Sequence, residues 1–459
     1  MDSDSSGNIQ ETKECEDAEC NDWTPGEWDA REGRIRQKNY ATVRDFLSGG
    51  SEFQTSVVRA PIYGDLLAAA LHRHVETWWQ TVKLMGHSSE EPYCSTVSTD
   101  YDKHENVVCK GYLLLKRDDD KVVASINTML GGAFQANLLI TGNRKETVEE
   151  FAKGVNDLAD SKKMYQGKKI ELGGDIRFIS PTGKSWDDLA LSPELKEQIR
   201  TNTVDFLARR EELAKYGILP RRGVMLAGEP GTGKTLVLKI IMSQSPGVTC
   251  ISARTARLVN SAYIYDLYFV ARDLRPSIVF LEDIDLIGED RRKAKEQALP
   301  TLLAQLDGLA EDCAGVVTVA TTNFIEDIDD ALKKRPSRFD RVIELSLPDL
   351  EQRRRYVELL SGRIPMDEDI RECLARKTEG MTPAQIQEAA QSLVIEHKHS
   401  PLCAAQGGCT FDRNDVDRVV EMVRHDKKNG HMGFARAVDS VGLPLAGAHV
   451  LNAQQRQDR

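Results

Sequence analysis

The sequence predicts an α/β fold in which a small α+β domain precedes a parallel-sheet domain and an α-helical lid. Three observations predict it. Between about residues 224 and 347, short apolar runs alternate with helical segments, a pattern typical of a parallel sheet wrapped by helices. A glycine-rich turn joins the first of these apolar runs to the helix that follows. Upstream, two strand-like runs joined by the acidic turn 118–120 predict a β-hairpin.

The order of these patterns divides the chain into five segments. Residues 1–33 contain eleven acidic and two basic side chains with little to pack, which predicts a disordered tail. The five predicted segments are an acidic disordered tail at 1–50, a small α+β N-terminal domain at 55–180, a parallel-sheet core at 186–348, an α-helical lid at 349–426 and a mobile C-terminal tail at 427–459.

The N-terminal domain is predicted from alternating periodicities. Apolar residues at three- and four-residue steps predict a helix over 63–82, in which Trp78 and Trp79 belong to the core or to an interface. Two strands flanking Gly173 and Gly174 predict a hairpin. Strands are also predicted at 107–115, 121–126 and 137–141, with a helix at 146–158. Because no catalytic constellation appears in this segment, we interpret it as an adaptor or docking domain.

The core and the lid are predicted from the apolar periodicity of residues 186–426. A helix at 193–214 is predicted to precede the sheet, and the lid is predicted as four helices. The strands are predicted at 224–227, 248–251, 278–281, 316–321 and 342–345, and the lid helices at 350–360, 367–376, 383–397 and 412–424.

Composition narrows the class of protein. The formal net charge of −11 disfavours non-specific binding to nucleic acid or to an anionic membrane. The nine cysteines have no framework spacing, and no basic and apolar leader opens the chain, so we expect a cytoplasmic protein. The most apolar stretch, residues 66–82, carries two His, an Arg and a Glu, so we expect no membrane span.

The glycine-rich turn matches the P-loop pattern, in which Lys and a hydroxyl residue follow two glycines. Glycines let the backbone turn several N–H groups toward one triphosphate, while Lys234 adds a charge for the β- and γ-phosphates and Thr235 offers a hydroxyl to Mg²⁺. The sequence therefore predicts that ATP and Mg²⁺ bind here. The predicted binding residues are Gly228, Glu229, Pro230, Gly231, Thr232, Gly233, Lys234, Thr235 and Leu236.

Polar residues follow the next two central strands. The apolar run 277–281 ends in Glu282 and Asp283, and the strand 316–321 is followed by Asn323. Ligands of open α/β sheets bind at the carboxyl ends of the strands, so one carboxylate can hold Mg²⁺ and the other can polarise the attacking water. Asn323 either orients that water or caps the next helix.

A loop with three arginines, at positions 335, 338 and 341, comes next. Arginine presents a planar fork that fits phosphate oxygens, and one supplied by a neighbouring subunit is a known catalytic device. The alternative is a salt-bridged loop that involves Asp340 and Glu344.

The order of these motifs resembles the AAA ATPases of the AAA+ superfamily, over about residues 186–424. The resemblance implies a P-loop nucleotide-binding domain, a ring that is usually a hexamer, with ATP and Mg²⁺ between subunits, and a chaperone-like action on a protein partner. It assigns Thr235 and Glu282 to Mg²⁺, Asp283 to water activation and Asn323 to the sensor position. Arg338 and Arg341 match arginine fingers, and the backbone near Leu189 and over 380–385 matches the adenine and ribose contacts.

The sequence departs from the family pattern in two places. The Walker B acids run Glu282 then Asp283, the reverse of the usual order, as in some branches of the family. No clear aromatic pore loop is present; Tyr263 and Tyr265 are possible replacements, although a helical core position is favoured for them.

Two protein classes remain open, and two zinc sites are disfavoured. We expect an ATP-hydrolysing ring that remodels a protein; the alternative is an ATP-gated scaffold with slow or no hydrolysis. No His-Glu-x-x-His motif occurs, which excludes the fused zinc-protease branch. A zinc site at His397, His399, Cys403 and Cys409 is weighed against a helix end with free thiols, which is favoured.

Overall fold

The structure is a computed structural model that describes residues 25–47, 52–128, 135–160, 164–173, 176–285, 292–307, 314–324, 339–397 and 411–428. The chain forms two compact units. The first contains residues 1–165 and 174–178, and the second contains residues 166–173 and 179–459.

The first unit is an antiparallel sheet with helices. The strands follow the order β1-β6-β5-β4-β2, and β3 also pairs with β4. The predicted hairpin is confirmed, because β4 and β5 pair in register from Lys110–Asn127 to Arg117–Asp120. The elements are α1 (Pro25–Leu47), β1 (Phe53–Arg59), α2 (Gly64–Trp78), β2 (Gln80–Met85), β3 (Tyr93–Asp100), β4 (Lys103–Arg117), β5 (Asp120–Asn127), β6 (Ala136–Gly142) and α3 (Lys145–Asp160).

The helix α1 corrects the prediction that residues 1–50 are disordered, since its 23 residues fall inside that range. Its C-terminal half carries Val43, Phe46 and Leu47, which pack against the buried side chains of Leu114 and Val123. The acidic composition of the first 33 residues concealed this apolar stripe, because the stripe begins only where the acidic run ends.

The helix predicted over 63–82 is shorter in the structure. It ends at Trp78, and the chain continues as the strand β2 from Gln80. Trp79 is buried against Phe151, with ring centroids 5.3 Å apart, whereas Trp78 is exposed. Trp78 ends the helix, whereas Trp79 has extended backbone angles (φ −132°, ψ 147°), so the change of backbone conformation between them separates the two indoles.

The second unit contains a parallel sheet, and the predicted α/β class is confirmed. Its strands follow the order β13-β9-β12-β11-β10-β7, with every adjacent pair parallel. All five residues of β11 are buried, as expected for a strand covered on both faces. The strands are β7 (Lys169–Leu172), β9 (Arg222–Ala227), β10 (Thr249–Ala253), β11 (Ser277–Leu281), β12 (Val316–Thr322) and β13 (Arg341–Glu344); β8 (Ile176–Phe178) belongs to the first unit.

The strand β7 lies outside the domain to which the sequence assigned it. Residues 169–172 were predicted within the N-terminal segment 55–180, but β7 pairs in parallel with β10 in the second unit. The Lys169 ammonium donates hydrogen bonds to Ser245 O at 2.6 Å and to Val248 O at 2.7 Å. Periodicity identifies a strand but not its partner, so this long-range pairing was not visible in the sequence.

The helices of the second unit flank the sheet. The helix predicted at 193–214 is broken at Thr203 and Arg209 into three shorter ones. Thr203 has φ −124° and ψ −86°, which is not helical, and its hydroxyl donates to Ile199 O at 2.7 Å. The helices are α4 (Pro193–Asn202), α5 (Val204–Ala208), α6 (Arg210–Lys215), α7 (Lys234–Ser243), α8 (Ser261–Asp273) and α9 (Arg292–Asp307).

Among the described residues of the lid, four helices lie at the predicted positions. They enclose an apolar core of their own, which includes Val357, Leu374, Ile386 and Val419. The lid helices are α10 (Leu350–Ser361), α11 (Glu368–Lys377), α12 (Pro383–His397) and α13 (Arg413–Lys428). Within the described ranges, no helix has the length and apolarity that crossing a membrane requires.

Candidate functional site

The P-loop turn lies between β9 and α7 and depends on glycine at two points. Gly228 and Gly233 have φ of 156° and 102°, in or near the region that side chains disfavour. A Cβ on Gly228 would lie 2.4 Å from Leu345 O, so the neighbouring backbone leaves no room for a side chain. The turn leads directly into α7, whose first residue is Lys234.

Lys234 is buried inside the turn. Its ammonium donates hydrogen bonds to Gly228 O at 2.6 Å and to Glu229 O at 3.0 Å. Burial lowers the pKa of Lys234, and the carboxylates of Asp283 and Asp285 partly oppose that effect. A buried ammonium group that donates its hydrogen bonds to carbonyl oxygens is well placed to exchange them for an anionic ligand.

A cavity of about 450 Å³ opens in front of the turn. That volume is within the range of sites that hold molecules of nucleotide size. Its wall includes P-loop residues, acid and amide residues from the sheet edge, and residues of the lid helices. The residues that line it are Asp188, Leu189, Ala190, Leu191, Pro230, Gly231, Thr232, Gly233, Lys234, Thr235, Leu236, Asp283, Asn323, Ser346, Pro348, Gln352, Tyr356, Pro383, Ala384 and Gln387.

The predicted acids and the predicted amide meet at the carboxyl edge of the sheet. The Thr235 hydroxyl donates to Glu282 Oε2 at 3.2 Å. The side-chain amide of Asn323 donates to Asp283 Oδ1 at 3.1 Å. Because β11 and β12 are parallel neighbours, residues that follow both strands arrive at the same edge.

Backbone geometry fixes the two acids. Asp283 has φ 48°, in the left-handed region that aspartate tolerates better than most residues. Its N–H donates to the Thr321 hydroxyl at 2.9 Å, and the Thr255 hydroxyl donates to Glu282 O at 2.8 Å. Neither threonine was predicted to contact the acids, although Thr321 belongs to a pair of threonines just before Asn323.

The electrostatics of the acids fit a cation. Burial raises the pKa of Glu282, and burial followed by the nearby Asp285 raises the pKa of Asp283. A carboxylate that is partly removed from water and lies beside a hydroxyl is an oxygen donor pair of the type that Mg²⁺ prefers. The side chains of Thr235 and Glu282 therefore fit a magnesium ion.

Comparison with known proteins agrees with this geometry. Residues 224–347 match the family model described as "ATPase family associated with various cellular activities (AAA)". Residues 224–347 thus form an AAA ATPase domain. The match covers the strands from β9 to β13 and contains every predicted catalytic and phosphate-binding residue.

The relatives of this AAA chain are proteases by name. The chain is 32% identical over 251 residues to "ATP-dependent zinc metalloprotease FtsH 3" of Sorangium cellulosum, covering 51% of the chain and 40% of the relative. It is 31% identical over 340 residues to the FtsH 3 protein of Sphaerobacter thermophilus, covering 71% and 65%. It is 34% identical over 256 residues to "ATP-dependent zinc metalloprotease FTSH 2, chloroplastic" of Arabidopsis thaliana, covering 53% and 35%. The chain thus spans less than two thirds of each of these relatives.

The lid contributes the far end of the AAA cavity. The Tyr356 hydroxyl donates to Gln387 Oε1 at 3.1 Å, and both residues line the cavity together with Leu189. Pro383 and Ala384 also line it, whereas Gln385 Oε1 accepts the Thr382 N–H at 2.9 Å as part of a helix start. Leu189, Pro383 and Ala384 thus line the cavity, and their contacts to adenine and ribose stay a prediction; the Tyr356–Gln387 pair was not predicted.

The lid also touches the P-loop of the AAA core directly. The Ala384 N–H donates to Gly231 O at 3.1 Å. A Cβ on Gly231 would lie 2.9 Å from both Ala384 Cβ and Thr382 Oγ1. A side chain at position 231 would therefore crowd the first turn of α12.

The predicted arginines are only partly described. Arg335 and Arg338 lie outside the described residues. Arg341 is exposed at the start of β13, where it pairs with Val224. Val224 precedes Gly228 by four residues, which is about 13 Å along a strand. Arg341 therefore lies toward the amino end of the sheet and does not line the cavity of its own chain.

The structure describes both candidate pore-loop tyrosines but not the side chains of the candidate zinc ligands. Tyr263 is a core residue, because its hydroxyl donates to Leu172 O at 2.6 Å and accepts the Arg254 N–H at 2.9 Å. Tyr265 is exposed on α8. Of the four candidate zinc ligands, His399, Cys403 and Cys409 lie outside the described residues, as does the side chain of His397.

Proposed function

We propose that this chain hydrolyses ATP to ADP and phosphate. The observation that carries the proposal is the convergence of a buried P-loop lysine, two carboxylates and an amide on one cavity. In this proposal the P-loop N–H groups and Lys234 bind the β- and γ-phosphates of ATP. The cavity wall near Leu189 and Tyr356 binds the adenine. Thr235 and Glu282 would hold Mg²⁺, which would offset phosphate charge.

The chain's own residues supply the proton transfer. Asp283 takes a proton from the attacking water, whose oxygen bonds to the γ-phosphorus while the bond from phosphorus to the leaving ADP oxygen breaks. Asn323 orients that water. The side-chain amide of Asn323 donates to Asp283 Oδ1 at 3.1 Å, so one water molecule can contact both side chains. Burial raises the pKa of Asp283, which makes it a stronger base once it is ionised.

We further propose that the active form is a ring, with six subunits as the family resemblance implies. Arg338 and Arg341 would then act on the γ-phosphate bound by the next subunit. The exposure of Arg341 and its distance from its own phosphate site support an action between subunits.

The proposed target is a protein that the ring remodels. The relatives are named as ATP-dependent proteases, which supports action on proteins. The 459 residues contain no His-Glu-x-x-His, which supports remodelling without peptide-bond cleavage by this chain. A cytoplasmic location remains a prediction, supported by the free cysteines at positions 94, 109, 250 and 373.

Phosphate release by the purified full chain tests the proposal. We expect Mg²⁺-dependent release by the wild type, and nucleotide binding without release by Asp283→Asn. Wild-type release that survives in Asp283→Asn would assign the base to another residue. Nucleotide binding by the wild type without release would instead favour the ATP-gated scaffold, which the short Asp283 side chain in place of the usual glutamate also favours.

A further inference from the structure

Asp285 is a buried carboxylate that the proposed reaction does not use. It follows Asp283 by two residues and is 8% exposed. A carboxylate at this depth requires hydrogen-bond donors or positive charge nearby. Asp285 does not line the cavity, although Asp283 and Asn323 do. It therefore cannot touch a nucleotide in the described arrangement, and its partners define what it does.

The partner is the residue proposed to orient the attacking water. Asp285 Oδ1 accepts the backbone N–H of Asn323 at 3.2 Å. The side-chain amide of the same Asn323 donates to Asp283 Oδ1 at 3.1 Å. Asn323 is thus held between two carboxylates, by its backbone on one side and by its side chain on the other.

The rest of the segment between β11 and Asp285 is fixed in the same way. The N–H of Asp283 donates to the Thr321 hydroxyl at 2.9 Å, and Asp283 adopts φ 48°. A non-glycine residue persists in this region only where the surroundings determine it. Two hydrogen bonds therefore join this segment to the end of β12. Thr321 accepts the N–H of Asp283, and Asp285 accepts the N–H of Asn323.

We infer that Asp285 is a positioning residue, which holds the tip of β12 so that Asn323 and Asp283 keep the relative orientation that hydrolysis requires. This inference rests on the proposed function, because it assigns Asp285 to the same reaction. The hydrogen bond requires only an acceptor oxygen at this position. Asparagine can supply that oxygen without the charge, whereas alanine cannot.

The alanine and asparagine substitutions at Asp285 should have different effects on kcat. Asp285→Ala leaves the Asn323 N–H without its acceptor and frees the tip of β12, so we expect kcat to fall about ten- to hundredfold, since small displacements of reacting groups have effects of this size. KM for ATP should change less than about threefold, because Asp285 does not line the cavity. Asp285→Asn keeps the acceptor oxygen but loses the charge that contributes to the raised pKa of Asp283, so we expect its kcat to fall less than about fivefold and to stay well above that of Asp285→Ala.

Phosphate release with full titration of ATP measures both parameters in the full chain. A second comparison uses Asn323→Ala as background. If Asp285 acts through Asn323, adding Asp285→Ala to Asn323→Ala should lower kcat no further, whereas independent roles would multiply. Thermal unfolding of each variant shows whether it is folded. If Asp285→Ala is unstable, the double-mutant comparison of kcat is made at 10 °C instead.

The outcomes separate this inference from the proposed function. No release by the wild type overturns the proposed function itself. Release by the wild type together with an unchanged kcat in Asp285→Ala overturns only the positioning role. Equal losses in Asp285→Asn and Asp285→Ala also overturn it, because charge and not the acceptor oxygen would then be the requirement. Loss in alanine, recovery in asparagine and non-additivity with Asn323→Ala support it.

Discussion

The Thr235 hydroxyl lies 3.2 Å from Glu282 Oε2 and donates a hydrogen bond to it. The first residue belongs to the P-loop helix and the second follows the central strand β11. This contact joins the phosphate-binding turn to the acidic edge of the sheet, and it marks the place where a magnesium ion fits.

Removing the Glu282 charge should raise the magnesium requirement of hydrolysis. Glu282→Gln keeps the shape of the side chain but weakens it as a ligand for a hard cation. We expect the Mg²⁺ concentration for half-maximal phosphate release to rise at least about tenfold, a free-energy change of about 1.4 kcal/mol. Titration of Mg²⁺ at saturating ATP measures it, and a chelator should abolish wild-type release. Glu212→Gln, on the exposed helix α6, is the control, and an equal shift in it would contradict the assignment.

Removing the Lys234 ammonium should abolish tight nucleotide binding. Lys234→Ala loses the charge that holds the turn through Gly228 O and Glu229 O. Hydrogen bonds to charged groups contribute about 1.5–3 kcal/mol, so we expect ATP affinity to fall at least about tenfold. Equilibrium binding of a fluorescent ATP analogue measures the loss. The exposed Lys215→Ala is the matched control, and unchanged affinity in Lys234→Ala would remove the lysine from the site.

A methyl group on Gly231 should disturb both the P-loop and the lid. Gly231 has φ 84°, and a Cβ there would lie 2.9 Å from Ala384 Cβ. Gly217 has φ 72° with open space around it, so Gly217→Ala measures backbone strain alone. We expect Gly231→Ala to destabilise by about 1–3 kcal/mol more than the control, because crowding adds to strain. Urea unfolding and hydrogen exchange at the start of α12 measure it; equal effects would exclude the lid contact.

Activity should reappear when two inactive variants are mixed. Arg341→Ala retains an intact P-loop, and Lys234→Ala retains the arginines, so a mixed interface can combine one intact copy of each. Arginine fingers contribute about 10³–10⁵ in rate, so even a few mixed interfaces give a measurable signal. Phosphate release as a function of mixing ratio should peak between the pure variants. Arg341→Ala mixed with the double variant is the control, and no recovery at any ratio would contradict action between subunits.

The stability of the first unit should depend on pH through His74. This side chain is buried with its ring edge against Phe151, at a centroid distance of 4.8 Å, and its Nε2 has no hydrogen-bond partner among the described residues. Burial, and then the charge of Arg117, lower the pKa of His74. Below about pH 6.5 the unfolded chain therefore binds a proton that the folded unit does not, so the free energy of unfolding falls as pH falls.

The variant His74→Leu should weaken this dependence. Proton uptake on unfolding between pH 7 and pH 5 should decrease by up to about one proton, while the exposed His104→Gln should leave it unchanged. Urea unfolding monitored by hydrogen exchange of α2 and α3, corrected for intrinsic exchange at each pH, measures the slope. Identical slopes in His74→Leu and wild type would place the proton uptake elsewhere.

Local sequence patterns were sufficient for the central features of the site. The meeting of Glu282 and Asn323 with the P-loop followed from a rule that applies to every parallel sheet, because the carboxyl ends of its strands share an edge. The lid helices followed from apolar periodicity, which reports burial without requiring knowledge of the partner.

What could not be predicted depends on contacts between residues far apart in sequence. The helix α1 is stabilised by Leu114 and Val123, and β7 by pairing with β10, so neither is determined by its own segment alone. The left-handed backbone of Asp283 and the Tyr356–Gln387 contact likewise require the folded neighbours. Each is a tertiary effect that a local window does not contain.

The path of the chain through β7 governs how this protein can be truncated. The polypeptide supplies β7 to the second unit and then returns to the first for β8, so no single cut separates the two units. A fragment that begins at residue 186 would lose Lys169, leaving the carbonyls of Ser245 and Val248 without their ammonium donor and β10 with an unpaired edge. An ATPase fragment made in that way is expected to aggregate, and one that retains residues 166–173 should remain monodisperse.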